Sequence, residues 1–267
     1  MTLFSHYQKS CQEDPTIFLF NRFSHLLIER INISLHLSKI LMVDKEAQVA
    51  GTVKSQDLSV SWISEPGTCN ENTDRVCVLM MANGQVRLTM QSETLDLKGM
   101  RLTKGHVCVF ALFEASDPKN GTVADKASEM FMNMMMRYDI TKKRADKVMK
   151  KCLSKTDKAI AKEFGDSSYK ASVAAFAGKD LTACSVNGGK VFILSDEGKL
   201  IKFSVPEDAG VMFAGLSWKN VMIVSGNYPA ADNEIKGDIG WPVRDLIGKR
   251  ELTSLDNSTS VIRVQKL

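Results

Sequence analysis

Three acids stand where strands of this chain begin or end. Glu114 closes the apolar run Val107-Cys108-Val109-Phe110-Ala111-Leu112-Phe113, and Asp74 precedes the run Arg75 to Met81. Asp256 lies in Ser254-Leu255-Asp256-Asn257, a turn that leads into the last apolar run, Thr259 to Val264. A carboxylate in such a place caps a turn or ends a strand in solvent; several gathered together bind hard divalent cations. Cysteine and histidine offer less. The six cysteines (11, 69, 77, 108, 152, 184) have no CxxC spacing, and the four histidines (6, 25, 36, 106) lack the spacing of metal ligands. Cys77 and Cys108 fall inside apolar strands, where a thiol behaves as a small hydrophobe. A reducing compartment follows, with no disulfide framework, zinc site or cysteine–histidine pair for catalysis.

The elements that must position these acids are read from periodicity. At 267 residues, 44% of them hydrophobic and 25% charged, the chain suits one globular domain with an extension. A net charge of +4 makes no strong case for a nucleic-acid partner. Residues 1–55 form the N-terminal extension. In it Phe20, Phe23, Leu27, Ile31 and Leu35 lie on one face of an amphipathic helix. Arg22, His25, Glu29, Arg30 and Lys39 interrupt the apolar stretch from Ile17 to Met42, so it is not a membrane span.

Strand patterns begin at Leu58 and run through Leu58–Ile63, Arg75–Met81, Gln85–Met90 and His106–Phe113, with a hairpin turn at Asn83-Gly84. Two helices follow. Ala127, Met130, Phe131, Met134, Met135 and Tyr138 mark the core face of the first. The second, Thr141 to Phe164, buries Val148, Cys152, Thr156 and Ile160 and turns a row of lysines outward. Strands resume at Ala171–Ala177, Leu181–Val186, Val191–Leu194, Leu200–Phe203, Val211–Leu216 and Val221–Val224. Pro229 to Gly240 reads as loop and Pro242 to Gly248 as a short helix. Strands, two helices, more strands and a last helix and strand make an α+β layered domain, 56–267.

From about Leu58 to Leu267 this order resembles the metal-dependent Ser/Thr phosphatases of the PP2C family. Phe113-Glu114-Ala115-Ser116 stands where the family has Phe-Asp-Gly-His, and Asp256-Asn257 where it has Asp-Asn before the last strand. Ser172-Val173-Ala174-Ala175 resembles the family's Gly-Ser-Thr-Ala strand. Thr182 to Val191 resembles its Ala-Asn-Val-Gly-Asp-Ser-Arg-Ala hairpin, and Asp196-Glu197-Gly198-Lys199 the turn after it. The resemblance implies a four-layer α-β-β-α sandwich, two antiparallel sheets flanked by helices. The flap subdomain is reduced or absent, since too little chain separates Phe203 from Trp218.

It also implies a site in which carboxylates hold two Mg²⁺ or Mn²⁺ ions that activate a bridging water. Much of that set is replaced. The phosphate-gripping Arg corresponds to Cys69, the outer Glu to Thr73, the bridging Asp to Glu114 and the presumed acid His to Ser116. A further metal-binding Asp corresponds to Gly226 in Val224-Ser225-Gly226-Asn227. Asp74, Glu114 and Asp256 remain as a vestigial metal set. The expectation is a catalytically inactive pseudophosphatase with no cofactor, or at most a weakly held Mg²⁺ or Mn²⁺. It would act as a regulatory module that binds a kinase, a phosphatase or a phosphoprotein in the cytoplasm or nucleus. The alternative is a divergent but active Mg/Mn-dependent Ser/Thr protein phosphatase.

Overall fold

Residues 107–115 show how the layers are built. Val107, Val109, Ala111 and Phe113 face one side of their strand and Cys108, Phe110 and Leu112 the other, and all are buried. A strand buried on both faces needs a packed layer on each. The computed structural model describes residues 48–267 apart from 55–56, 69–70, 83–84, 92, 99–105, 118–120, 139–144, 166–167, 178–179, 205–208 and 215–217. The amphipathic helix expected near the N-terminus, Cys69 and the Asn83-Gly84 turn therefore lie outside the described residues.

In chain order the strands are β1 (Val49–Lys54), β2 (Leu58–Glu65), β3 (Asp74–Ala82), β4 (Gln85–Met90), β5 (Glu93–Lys98) and β6 (Val107–Ala115). Helices α1 (Gly121–Arg137) and α2 (Ala145–Phe164) follow. Next come β7 (Tyr169–Ala177), β8 (Asp180–Val186), β9 (Lys190–Ser195), β10 (Leu200–Phe203), β11 (Ala209–Ala214) and β12 (Trp218–Val224). Short helices α3 (Asp232–Asp238) and α4 (Leu246–Lys249) precede β13 (Thr259–Lys266).

The strands form a six-stranded sheet, β1-β2-β13-β12-β9-β10, and a seven-stranded sheet, β11-β8-β7-β6-β3-β4-β5. Every pairing is antiparallel. Three apolar clusters fill the gaps between four layers. Helices α1 and α2 cover the outside of the seven-stranded sheet with Phe131, Met132, Met135, Met136, Met149 and Leu153, so the methionines are core. Between the sheets lie Trp62, Phe110, Phe176, Trp218 and Ile262, with the Phe176 and Trp218 rings edge-on at 5.5 Å. Outside the six-stranded sheet, Tyr228, Ile235, Ile239, Val243, Leu246 and Leu252 close the fourth layer.

The structure adds two strands and a helix to the sequence reading. Val49–Lys54, inside the stretch assigned to the extension, is an edge strand of the six-stranded sheet. Glu93–Lys98 is the edge strand next to β4. Asp232–Asp238, read as loop, is helical, with the Glu234 carboxylate accepting the Ala231 N–H at 2.9 Å. The fourteen residues 204–217 between β10 and β12 hold β11, which crosses to the other sheet and pairs with β8.

Candidate functional site

Strand alternation decides which way the acids point. Val76 and Val78 of β3, Phe110 and Leu112 of β6 and Ala174 and Phe176 of β7 all face the gap between the sheets. Asp74, Glu114 and Lys170 share their parity, two or four residues further along, so they continue the same face. They are also register partners. Asp74 pairs with Glu114 and Glu114 with Lys170, which sets acid, acid and lysine in a row across three adjacent strands at one end of the sandwich. Asp74 is 3% exposed and Glu114 5%.

The opposite sheet brings three backbone and side-chain groups to this row. The Gly226 N–H, just past the end of β12, donates to Glu114 Oε2 at 2.7 Å. Lys190, first residue of β9, donates from Nζ to the Gly226 carbonyl at 3.4 Å. Ser260 of β13 hydrogen-bonds Asp74. Ser260 Oγ also lies 2.6 Å from Ser64 Oγ, which accepts from Asn72 Nδ2 at 2.8 Å. Asn72 thus donates to Ser64, whose hydroxyl shares a hydrogen bond with that of Ser260.

Lys190 reaches the site because the turn from β8 to β9 is tight. Asn187 anchors it by donating from Nδ2 to the Tyr169 carbonyl at 2.8 Å, and a Cβ at Gly189 would meet the Ala171 carbonyl oxygen at 2.0 Å. Only glycine fits that approach. Position 226 is close-packed for a different reason. A Cβ there would lie 3.1 Å from Lys170 Nζ and 3.3 Å from Glu114 Oε2, so the ammonium and the carboxylate flank the volume a side chain would take.

Burial, and then the charge of Glu114, holds the Asp74 carboxyl well above the usual carboxylate range. Burial raises Glu114 as well, against the pull of the Gly226 N–H and the charges of Lys170 and Lys190. Asp74 Oδ2 and Glu114 Oε1 are buried with no hydrogen-bond partner among the described residues.

Asp256 is placed differently. It is exposed in the loop before β13, and that loop docks through one carbonyl and one hydroxyl: Thr68 N–H donates to the Leu255 carbonyl at 2.8 Å and Thr73 N–H to Ser258 Oγ at 2.8 Å. Among the described residues no three or more His, Cys, Asp or Glu side chains gather closely enough to hold a metal ion. The two orphaned oxygens are hard donors of the kind Mg²⁺ or Mn²⁺ takes. Two carboxylates beside two lysines, with no side chain at 226, nevertheless do not make the donor set of a two-metal centre.

The neighbouring groups turn away from the cluster. Arg75 is buried and pairs with Asp125 of α1, also donating to the Asp74 carbonyl at 2.8 Å. Cys77, Cys108, Cys152 and Cys184 are buried free thiols. Burial pushes Cys108 and Cys152 up to about 12, which removes thiolate chemistry at neutral pH. The metal set read from the sequence was Asp74, Glu114 and Asp256; the structure sets Lys170, Lys190, Asn72, Ser64 and Ser260 around Asp74 and Glu114, and none of these five was singled out for the site. The one available signal was Lys170 itself, a charge at the core parity of a strand that continues Ser172, Ala174 and Phe176.

No family model matches the sequence, and no curated protein does. Solved structures do. RsbX, crystallised in complex with magnesium, aligns with a TM-score of 0.54 at 13% identity, covering 82% of this chain and 100% of RsbX. The catalytic domain of the serine/threonine protein phosphatase PstP, in complex with two manganese ions, gives 0.53 at 11% identity over 79% of this chain and 99% of that one. Serine/threonine phosphatase Stp1 from Staphylococcus aureus gives 0.56 at 9% identity over 77% and 94%. Likeness at such identities is likeness of fold, and the layers, sheets and flanking helices agree: this chain has the PP2C-like fold.

Proposed function

We propose that this protein is a pseudophosphatase: a PP2C-like fold that binds a protein of phosphorylation signalling and does not hydrolyse phosphate esters. The observation that carries this reading is the contact between Gly226 and Glu114. The acid that would bridge two metal ions accepts a backbone N–H at 2.7 Å, from a residue with no side chain to offer a metal. Among the described residues no third acid, histidine or cysteine is gathered with Asp74 and Glu114, and the lysines of β7 and β9 bring positive charge of their own. Phosphoryl transfer depends on cations and donors aimed at the transferred group. Here the cationic side chains face acids of the same protein.

The binding surface is α2. Lys147, Lys150, Lys151, Lys155, Lys158 and Lys162 are exposed along it, while Met149, Cys152, Leu153 and Ile160 face the seven-stranded sheet. Such a face suits the acidic or phosphorylated segment of a kinase, a phosphatase or a phosphoprotein. Fold alone does not name that partner.

The second reading is a divergent Mg/Mn-dependent Ser/Thr phosphatase, and the orphaned Asp74 Oδ2 and Glu114 Oε1 favour it. Turnover of an aryl phosphate and a phosphopeptide, with Mn²⁺ or Mg²⁺ supplied, separates the two. The control carries Asp74→Asn and Asp256→Asn together. The pseudophosphatase reading expects no rate above that control from a folded protein. A metal-dependent rate that the double substitution removes establishes the enzyme instead.

A further inference from the structure

The lysine row has a consequence beyond the loss of catalysis. We propose that Lys170, backed by Lys190, is a resident cation: an ammonium covalently part of the chain that stands where the fold otherwise places divalent metal. This rests on the non-catalytic reading of the site and deepens it.

Three observations carry it. Asp74, Glu114 and Lys170 occupy matched register positions on one face of β3, β6 and β7, so the ammonium belongs to the same row as the acids. Lys170 Nζ lies 3.1 Å from where a Cβ at position 226 would sit, and Glu114 Oε2 lies 3.3 Å from the same point. The Lys170 ammonium and the Glu114 carboxylate therefore flank the volume that a side chain at 226 would enter. Lys190 holds the Gly226 carbonyl from the other side, at 3.4 Å, and fixes the loop that Glu114 grips. Two buried acids side by side are relieved by nearby positive charge as well as by protonation. A tethered ammonium supplies that charge at unit effective occupancy, with no dependence on the metal supply.

The test is thermal denaturation with and without divalent metal. The full chain and the variants Lys170→Gln, Lys190→Gln, Gly226→Asp and Lys170→Gln/Gly226→Asp are melted in EDTA and in about 5 mM MnCl₂, alongside calorimetric titration with Mn²⁺. The wild-type midpoint is expected to move by less than about 1 °C between the two buffers. Lys170→Gln is expected to melt roughly 5 °C lower in EDTA and to recover part of that loss in Mn²⁺. The double variant, with an acid in the space the lysine leaves, is expected to bind Mn²⁺ tightly enough to measure.

A Mn²⁺-dependent rise of several degrees in the wild type overturns the proposal, as does a Lys170→Gln midpoint equal to wild type in EDTA. If Lys170→Gln does not fold, the wild-type titration and the Lys190→Gln melt decide, since binding of Mn²⁺ by wild type is itself contradictory. Mn²⁺ binding without turnover removes the resident cation and leaves the pseudophosphatase reading standing. Metal-independent turnover does the reverse.

Discussion

Burying Glu114 beside Asp74 is unfavourable for both acids, and the surrounding donors show how the protein offsets it. Glu114 receives a backbone N–H and the field of two lysines; Asp74 has a hydrogen bond with Ser260, whose hydroxyl is itself bonded to Ser64. Asp238 is the opposite case. It is fully buried in the fourth layer, yet Lys249 Nζ at 2.7 Å, Arg250 Nε at 2.8 Å and Tyr228 Oη at 2.9 Å all donate to it. Burial pushes its carboxyl up, but these hydrogen bonds outweigh burial and hold it below the usual range. Asp238→Ala removes the acceptor of Tyr228 and Lys249 and leaves Arg250 with Glu234 alone; it is expected to cost about 3 kcal/mol, seen as a fall in melting midpoint of roughly 6–12 °C. The pH dependence has a definite sign. A depressed folded value makes the contribution complete above the unfolded value of about 4 and lost as pH falls through the lower folded one. Urea melts should therefore show a constant gap between wild type and Asp238→Ala at neutral and mildly acidic pH, closing below about pH 4. A gap that persists unchanged in strong acid contradicts this.

At the scale of elements, the turn from β8 to β9 governs where Lys190 lies. Gly188 has φ +88° with open space around it, whereas a Cβ on Gly189 runs into the Ala171 carbonyl oxygen. Gly188→Ala should cost about 1 kcal/mol, the ordinary penalty of left-handed backbone. Gly189→Ala should cost about 3 kcal/mol, because backbone must move. Equal losses for the two in urea denaturation would contradict the packing described here. Most strands were legible from alternation or from continuous apolar runs, because their burial is one- or two-sided along their whole length. The exceptions are instructive. Strand β1 carries Gly51 where the Trp62 ring needs room, which thins its apolar face. Strand β5 has only Leu95 and Leu97 among polar residues and is held by cross-strand pairs such as Arg87 Nε to Asp96 Oδ1 at 2.7 Å. Helix α3 contains Gly237 and depends on Arg250 and on packing of Ile235, none of it local.

Across the whole molecule, periodicity is enough for an α+β layered domain, while the order of the four layers was implied by the PP2C resemblance. The site was legible only in part. Asp74, Glu114 and Gly226 stood out because the PP2C resemblance marks those positions, but Lys170 acquires meaning only from register: it is Glu114's partner across two strands whose sequences are far apart. Asp256 keeps the residue type expected at its position and lies exposed in a loop docked through Leu255 and Ser258. Residue type is local, whereas convergence is a property of the packed sandwich. The central claim, that the chain's own ammonium stands where the fold would otherwise seat metal, is most directly tested by a crystal structure of the protein soaked in manganese, read from anomalous scattering. The account predicts no manganese peak between Asp74 and Glu114 and an ordered Lys170 ammonium beside Glu114. A manganese ion bridging those two carboxylates, with Lys170 displaced, would contradict it.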